Sequence, residues 1–393
     1  MPDVLLCAGI LALGAALPAS NRETDDPTRI AFDPDPVRAV HKYWRSVHKL
    51  ESEAMFYTVG DERAELPGKL VFNTIEEATL RDEYRASADG RPMVLRRTFD
   101  DVRRGVRFAL SGVGETAPEP FTMLQGSDLT GCSVLYTWVP SEQGYGSCYD
   151  ARETDEEILA TLGEDLDLRA LLPAGPVTPG DAWRVEAAEL RAVFAPLGRV
   201  AYRQLKDADR IVVRMLEAGI GSDLATVFEG ESLGGAQVTF EEIREIEGTR
   251  IAALKVVYDF KLNRDLREYA MRARTPAEKK SAVTYVDAGL VLGFQGNGEL
   301  LWNLEERRVH GYRAALAEHA TQTLGHAIGG GQKTRRQTLR LVGTLEQSLQ
   351  VRPTPVPPTP AAGLVIDPGP PEDGAGAGDG DGDGDGGPVT DRR

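Results

Sequence analysis

The sequence is poor in the features that name a chemistry outright: cysteine, histidine and clustered positive charge. It has three cysteines and five histidines in 393 residues. Cys7, Cys132 and Cys148 never form the paired CxxC spacing of a structural zinc site, which excludes that class. His41 and His48 stand seven apart, two turns of a helix, and would share a face there. Zinc pairs on helices favour closer spacing and need further ligands, so these read as solvated or structural histidines. The formal charge is −16, against the clustered Lys and Arg that nucleic-acid backbones demand, so no nucleic-acid partner is expected.

Catalytic phrases are missing too. Ser133, Ser141 and Ser147 lie outside any GxSxG elbow. Gly329-Gly330-Gly331-Gln332-Lys333-Thr334 has Gln332 where a phosphate loop needs glycine, and a strand pattern follows it, so it reads as a flexible hairpin loop. Glu241, Glu242, Glu245 and Glu247 form a carboxylate run, which on a hairpin is a solvated face. The expectation is no catalytic residue, no cofactor and no metal site in the folded body.

Long apolar runs are absent as well. Val4 to Ala19 is apolar and small, but shorter than the roughly 20 residues of a membrane-spanning helix. It fits the core of a secretory signal, with Pro18-Ala19-Ser20 as small residues for cleavage, although Asp3 precedes it and no Lys or Arg does. Residues 1–20 are therefore expected to be a signal peptide, residues 21–35 a linker, and the mature protein exported, periplasmic or extracellular.

What the sequence does have is alternation. Ala252, Leu254, Val256, Tyr258 and Phe260 fall on one side of an extended chain; Ile251, Ala253, Lys255, Val257 and Asp259 fall on the other. Val238, Phe240, Ile243 and Ile246 precede them, and Glu247-Gly248-Thr249 is a turn signal, so residues 236–260 predict a β-hairpin. Leu70 to Ile75 and Leu300 to Leu304 alternate likewise, and Met93 to Leu95 and Val106 to Leu110 read as further strands. Thr338 to Val351 alternates over roughly 45 Å of extended chain, which suits a large curved sheet. Gly296-Asn297-Gly298 reads as a turn.

Helical spacing is rarer. Asp35-Pro36 can start a helix, and Val37, Val40, Trp44 and Val47 predict one from Pro36 to Met55. Thr154 to Glu157 fits a capping box, and Ile158, Leu162 and Leu166 predict a second over 155–171. Asn263 to Lys280 is charged and compatible with a third. The fold class expected is mainly β (α+β): a large curved antiparallel sheet or half-barrel with two or three helices. The N-terminal helix and a β-rich half fill 36–183, and a C-terminal antiparallel half fills 184–352.

Cys132 and Cys148 flank a strand–turn–strand pattern. They either pair across it, worth about 3 kcal/mol through loop-closure entropy, or remain two separate thiols. Pro353 to Pro360 holds five prolines and cannot enter a sheet interior. Beyond Ala361, seven Asp and one Glu against two Arg carry −6 of the −16 charge. Residues 353–393 are expected to be a disordered tail, and Asp379 to Asp385, alternating with glycine, offers weak Ca²⁺ association without the bidentate carboxylate of a true loop.

Leu171-Leu172-Pro173-Ala174-Gly175-Pro176-Val177-Thr178-Pro179-Gly180-Asp181-Ala182-Trp183 resembles a phrase of uncharacterised exported bacterial β-rich proteins: Leu-Pro, Pro-Val, then Gly-Asp-x-Trp. Gly343-Thr344-Leu345 ahead of Pro353 is similar to their closing phrase. The resemblance covers about residues 50–352. It implies a curved antiparallel sheet and supplies no catalytic residue. Some exported half-barrels of that outline carry lipids or lipoproteins, a likeness of fold alone. The function expected is thus a non-enzymatic envelope protein. Its concave face, with Tyr258, Phe260 and Trp302, would bind an apolar ligand, a lipid, or an envelope protein. The competing readings are core filling by those residues, a hydrolase with a site assembled from distant residues, and a structural scaffold.

Overall fold

The computed structural model describes residues 26–36, 38–111, 120–150, 156–203, 224–268, 285–328 and 333–352. The expected signal peptide, the acidic tail with its Ca²⁺ motif, the core of the glycine loop and most of the third helix lie outside these residues.

The described chain is mainly β, built on one large antiparallel sheet. Its strands are β1 (Ala39–Val59), β2 (Glu62–Glu65), β3 (Lys69–Ala88), β4 (Arg91–Ser111), β5 (Phe121–Gly126), β6 (Ser133–Val139), β7 (Gly144–Tyr149), β8 (Ala182–Glu186), β9 (Glu231–Ile246), β10 (Thr249–Asp265), β11 (Tyr285–Asn303), β12 (Arg308–Ile328) and β13 (Lys333–Arg352). Two four-residue helices accompany them, α1 (Arg191–Phe194) and α2 (Leu224–Val227). The sheet order is β7-β6-β4-β3-β1-β13-β12-β11-β10-β9-β8, with β2 on β1 and β5 on β4. It is open: β7 and β8 are its two edges. Two meanders meet where the first and last strands pair, Trp44 opposite Leu349 and His48 opposite Leu345. Register shifts at Ser52/Ala54, Thr79/Leu80 and Ala253/Leu254 add the local twist that bends long strands.

The central hairpin forms as its alternation predicts. Glu247 and Gly248 both have positive φ, 52° and 77°, as a two-residue type I′ turn requires. Val256, Tyr258 and Phe260 are buried on one side, and Lys255, Val257 and Asp259 are exposed on the other.

Three expectations need correction. The helix over Pro36–Met55 is instead strand β1. Its inner side runs Val40, Lys42, Trp44, Ser46, His48, Leu50, so three polar residues sit at core positions and break the apolar alternation. Val47 faces outward and packs on Ile75, completing a false helical spacing. The helix over 155–171 is two 3-10 segments, Glu156–Thr161 and Arg169–Leu171. The carbonyls of Gly163 and Glu164 accept from Arg97 Nη1 and Nη2 at 3.1 and 2.8 Å rather than from helical amides. Gly296-Asn297-Gly298 is no turn but the middle of β11. Glycine is needed there for closeness: a Cβ on Gly296 would stand 2.2 Å from the Ala315 carbonyl oxygen.

The β6–β7 hairpin forms around the cysteines, but no disulfide joins them. Cys148 pairs with Leu135, three positions along from Cys132. An odd offset turns side chains to opposite faces. The Cys132 Sγ is buried 3.4 Å from the Asp128 carbonyl, and Cys148 is exposed.

Candidate functional site

Among the described residues, a layer made of Gly163–Asp167, α1 and α2 covers the inner face of the sheet. A network of charges fixes its near end. Asp82 accepts from Arg97 Nε at 2.7 Å and Nη2 at 2.9 Å. Lys42 Nζ reaches Asp82 and Asp167, each at 3.0 Å, and the Tyr84 hydroxyl at 2.7 Å. That hydroxyl donates to Asp167 at 2.6 Å. Two cations meet two carboxylates, all buried. Burial alone would raise Asp82, but Arg97 and Lys42 hold it below the ordinary carboxylate value. Burial, then the Asp167 charge, pushes Tyr84 well above the phenol range. Each polar atom answers another, so this is an anchor that clamps Gly163–Asp167 onto β1, β3 and β4.

Further along, the covering segment turns apolar. Phe194, at the end of α1, enters a lobe of aromatic rings. It meets Tyr258 edge-on at 5.1 Å between centroids and Phe260 at 5.2 Å. Phe260 stacks on Phe294 at 4.9 Å, and Phe228 closes the lobe 6.0 Å from Phe260. The Tyr258 and Tyr312 hydroxyls satisfy each other at 2.9 Å. A hydrogen bond from Gln347 Nε2 to the Phe194 carbonyl, 2.9 Å, ties α1 to β13.

Beside this lobe the inner face is polar. Ser46, His48, Thr74, Glu76 and Arg104 line a cavity of about 60 Å³ under Phe194 to Val200. That is room for water molecules, well under the roughly 300–1,000 Å³ of a small-molecule pocket. His48 is ion-paired with Glu318 of β12, across β13. Gly343 stands opposite Glu318 and offers no side chain to separate them; a Cβ there would fall 1.8 Å from the Lys49 carbonyl oxygen. Burial would lower His48, but the Glu318 and Glu76 charges raise it above its ordinary value. Glu318 also lies directly opposite Phe294 of the aromatic lobe.

Of the residues singled out from sequence, Tyr258 and Phe260 come together in the lobe, both buried. Trp302 is buried as well, opposite Ala252, six residues along β11 from Gly296, the partner of Tyr258. That is roughly 20 Å away at strand rise, so it is not part of the lobe. The ring faces are covered by the chain's own Phe194. His41 and His48 do not share a face, because seven residues along a strand is an odd step. Among the described residues no three His, Cys, Asp or Glu are placed to hold a metal ion. Sequence reasoning missed Glu318, Gln347 and Phe194. Glu318 and Gln347 are polar residues at inner positions of otherwise alternating strands, a signal that was there to read.

The outer face carries a wide, open depression of about 560 Å³ lined by Arg45, Lys255, Glu299, Arg313 and Glu346. Arg313 and Glu299 pair at 2.9 Å, and Arg45 pairs with Glu77 at 3.2 Å, as on a solvated face.

No family model and no curated protein matches the chain. An outer membrane channel from Pseudomonas putida F1 aligns at 8% identity and a TM-score of 0.23, over 84% of this chain and 100% of that one. The secretin-domain β-barrel of a Salmonella SPI-1 injectisome aligns at 8% identity and a TM-score of 0.14, over 83% and 66%. A likeness of that size carries no functional reading.

Proposed function

We propose that this is an exported, non-enzymatic binding protein whose inner sheet face takes an apolar ligand in place of its own Phe194. The observation that carries the reading is the aromatic lobe of Tyr258, Phe260 and Phe294, capped by a helix of only four residues. Burying Phe194 contributes roughly 1.5–3 kcal/mol, an amount that an incoming hydrocarbon chain matches with a few methylenes. With Phe194 seated, the cavity of about 60 Å³ is too small for such a ligand, so binding requires α1 to leave the sheet. Export rests on the apolar stretch Val4 to Ala19.

Native mass spectrometry of the full chain purified from its own host tests this. The expected result is a co-purifying lipid-sized ligand, released by organic solvent. A clean ligand-free mass, from the wild type and from Phe194→Ala alike, contradicts the proposal.

A further inference from the structure

The charge network beneath the covering layer is built as a reaction site as well as an anchor. Lys42 is completely buried, and its Nζ stands 3.0 Å from Asp82 Oδ2, 3.0 Å from Asp167 Oδ1 and 2.7 Å from the Tyr84 hydroxyl. A primary amine becomes a nucleophile once it is desolvated and gives up its proton. A carboxyl one hydrogen bond away is an acyl group already within reach. The two carboxyls differ. Asp82 is gripped by Arg97 through both oxygens, which holds it ionised. The side-chain partners of Asp167 are Lys42 and Tyr84. A proton moved from Lys42 Nζ to Asp167 Oδ1 therefore removes two buried charges and leaves Arg97 and Asp82 to balance each other. Amine and acid are then both in their reactive forms. Burial keeps the Tyr84 phenol protonated, and it donates to Asp167 Oδ2 at 2.6 Å, where charge gathers when the carboxyl carbon is attacked.

We propose that Lys42 and Asp167 join in an amide bond, an isopeptide cross-link formed within the folded chain with loss of one water. The Nζ lone pair forms the bond to Asp167 Cγ, and negative charge collects on Oδ2 under the Tyr84 hydroxyl. Asp82 Oδ2 accepts a proton from Nζ and returns it to Asp167 Oδ1. The carbonyl re-forms at Oδ2, the Cγ–Oδ1 bond breaks, and Oδ1 leaves with its two protons as water. Asp82 and Tyr84 end unchanged, and no co-reactant is consumed. Holding the amine against the acyl carbon replaces a bimolecular encounter, equivalent to an effective concentration of about 10⁵–10⁸ M. The product exchanges a buried ion pair, costly to desolvate, for a neutral amide. It ties β1 to the covering layer across 125 positions of chain, in a body whose described cysteines are free thiols. The cross-link stands independently of the ligand reading.

Full-length protein, folded and then denatured, is digested with trypsin and read by tandem mass spectrometry. Trypsin cuts after a free Lys42 but not after one in amide linkage. The expected product is a branched peptide, Ala39–Arg45 joined to Glu153–Arg169, lighter than the two together by one water. Fragment ions place the branch at Lys42 and Asp167. They are needed because Asp-Gly steps between Asp379 and Asp385 also lose water, by closing to succinimides, so intact mass alone is ambiguous. Asp167→Ala is expected to give linear peptides, with cleavage after Lys42. Complete cleavage after Lys42 in the wild type overturns the proposal. A branch from Lys42 to the peptide Asp82–Arg85 overturns the choice of Asp167. The wild-type digest decides the question even if Asp167→Ala fails to fold.

Discussion

Asp82 receives Arg97 through both carboxyl oxygens, at 2.7 and 2.9 Å, and neither side chain reaches solvent. With Lys42 and Asp167 it makes a balanced set of buried charges, each depending on the others. Removing one carboxylate leaves a buried cation without its counter-charge. Asp82→Asn is therefore expected to cost about 3–5 kcal/mol, read as a lower urea midpoint with an unchanged slope. The carboxyl is held below 3.8, so its contribution is full above that pH and fades as pH falls through the lower folded value. A near-neutral Asp82→Asn would mean that the network anchors nothing.

Gly343 is required by closeness, not by backbone freedom. A methyl group there would meet the Lys49 carbonyl 1.8 Å away, and a backbone atom in mid-sheet cannot step aside. Gly343→Ala is expected to destabilise by about 3 kcal/mol or more, the upper end of overpacking. Gly126→Ala, with nothing within 4 Å of the new atom, should be close to neutral. Equal thermal midpoints for the two variants would contradict the packing described for β13 and β1.

His48 sets a pH dependence of known sign. Its folded value is raised above 6.5 by Glu318 and Glu76 against the opposing effect of burial. A raised value in a base means that its contribution is full below 6.5 and is lost as pH climbs through the folded value. Wild-type minus His48→Gln stability should therefore shrink from about pH 6.5 upward, measured by urea unfolding across the range. A difference that stays flat, or grows, denies the ion pair.

Cys132 and Cys148, the cysteines among the described residues, should behave as different thiols. Cys148 is exposed and Cys132 is buried near the Asp128 carbonyl. A maleimide is expected to label Cys148 in the folded protein and to reach Cys132 only after denaturation. A native mass that shows the pair oxidised would overturn the β6–β7 register.

The architecture was legible where side chains alternate cleanly. The β9–β10 hairpin follows from Val256, Tyr258 and Phe260 facing one way and from the Glu247-Gly248 turn. Reading failed where anchoring and ion pairing put polar residues inside. Lys42, Ser46 and His48 occupy core positions of β1, so the apolar period vanished and a helix took its place. The same residues, with Glu318 and Gln347, are the ones that build the candidate site. Tyr258 and Phe260 were picked out as apolar residues, but their covering by Phe194 depends on a contact 64 positions away from Tyr258, which no local pattern encodes. Trp302 shares their chemistry and their face, yet strand rise places it too far along β11 to join them.

The central claim is that Phe194 and α1 hold a place that a ligand can take. Hydrogen–deuterium exchange of the Arg191–Tyr202 amides, in full-length protein with and without saturating 1-monoolein, tests it most directly. The account predicts faster exchange in this segment when the lipid is bound, with the β10 and β11 amides unchanged. Exchange across Arg191–Tyr202 that stays the same or slows under those conditions would contradict it.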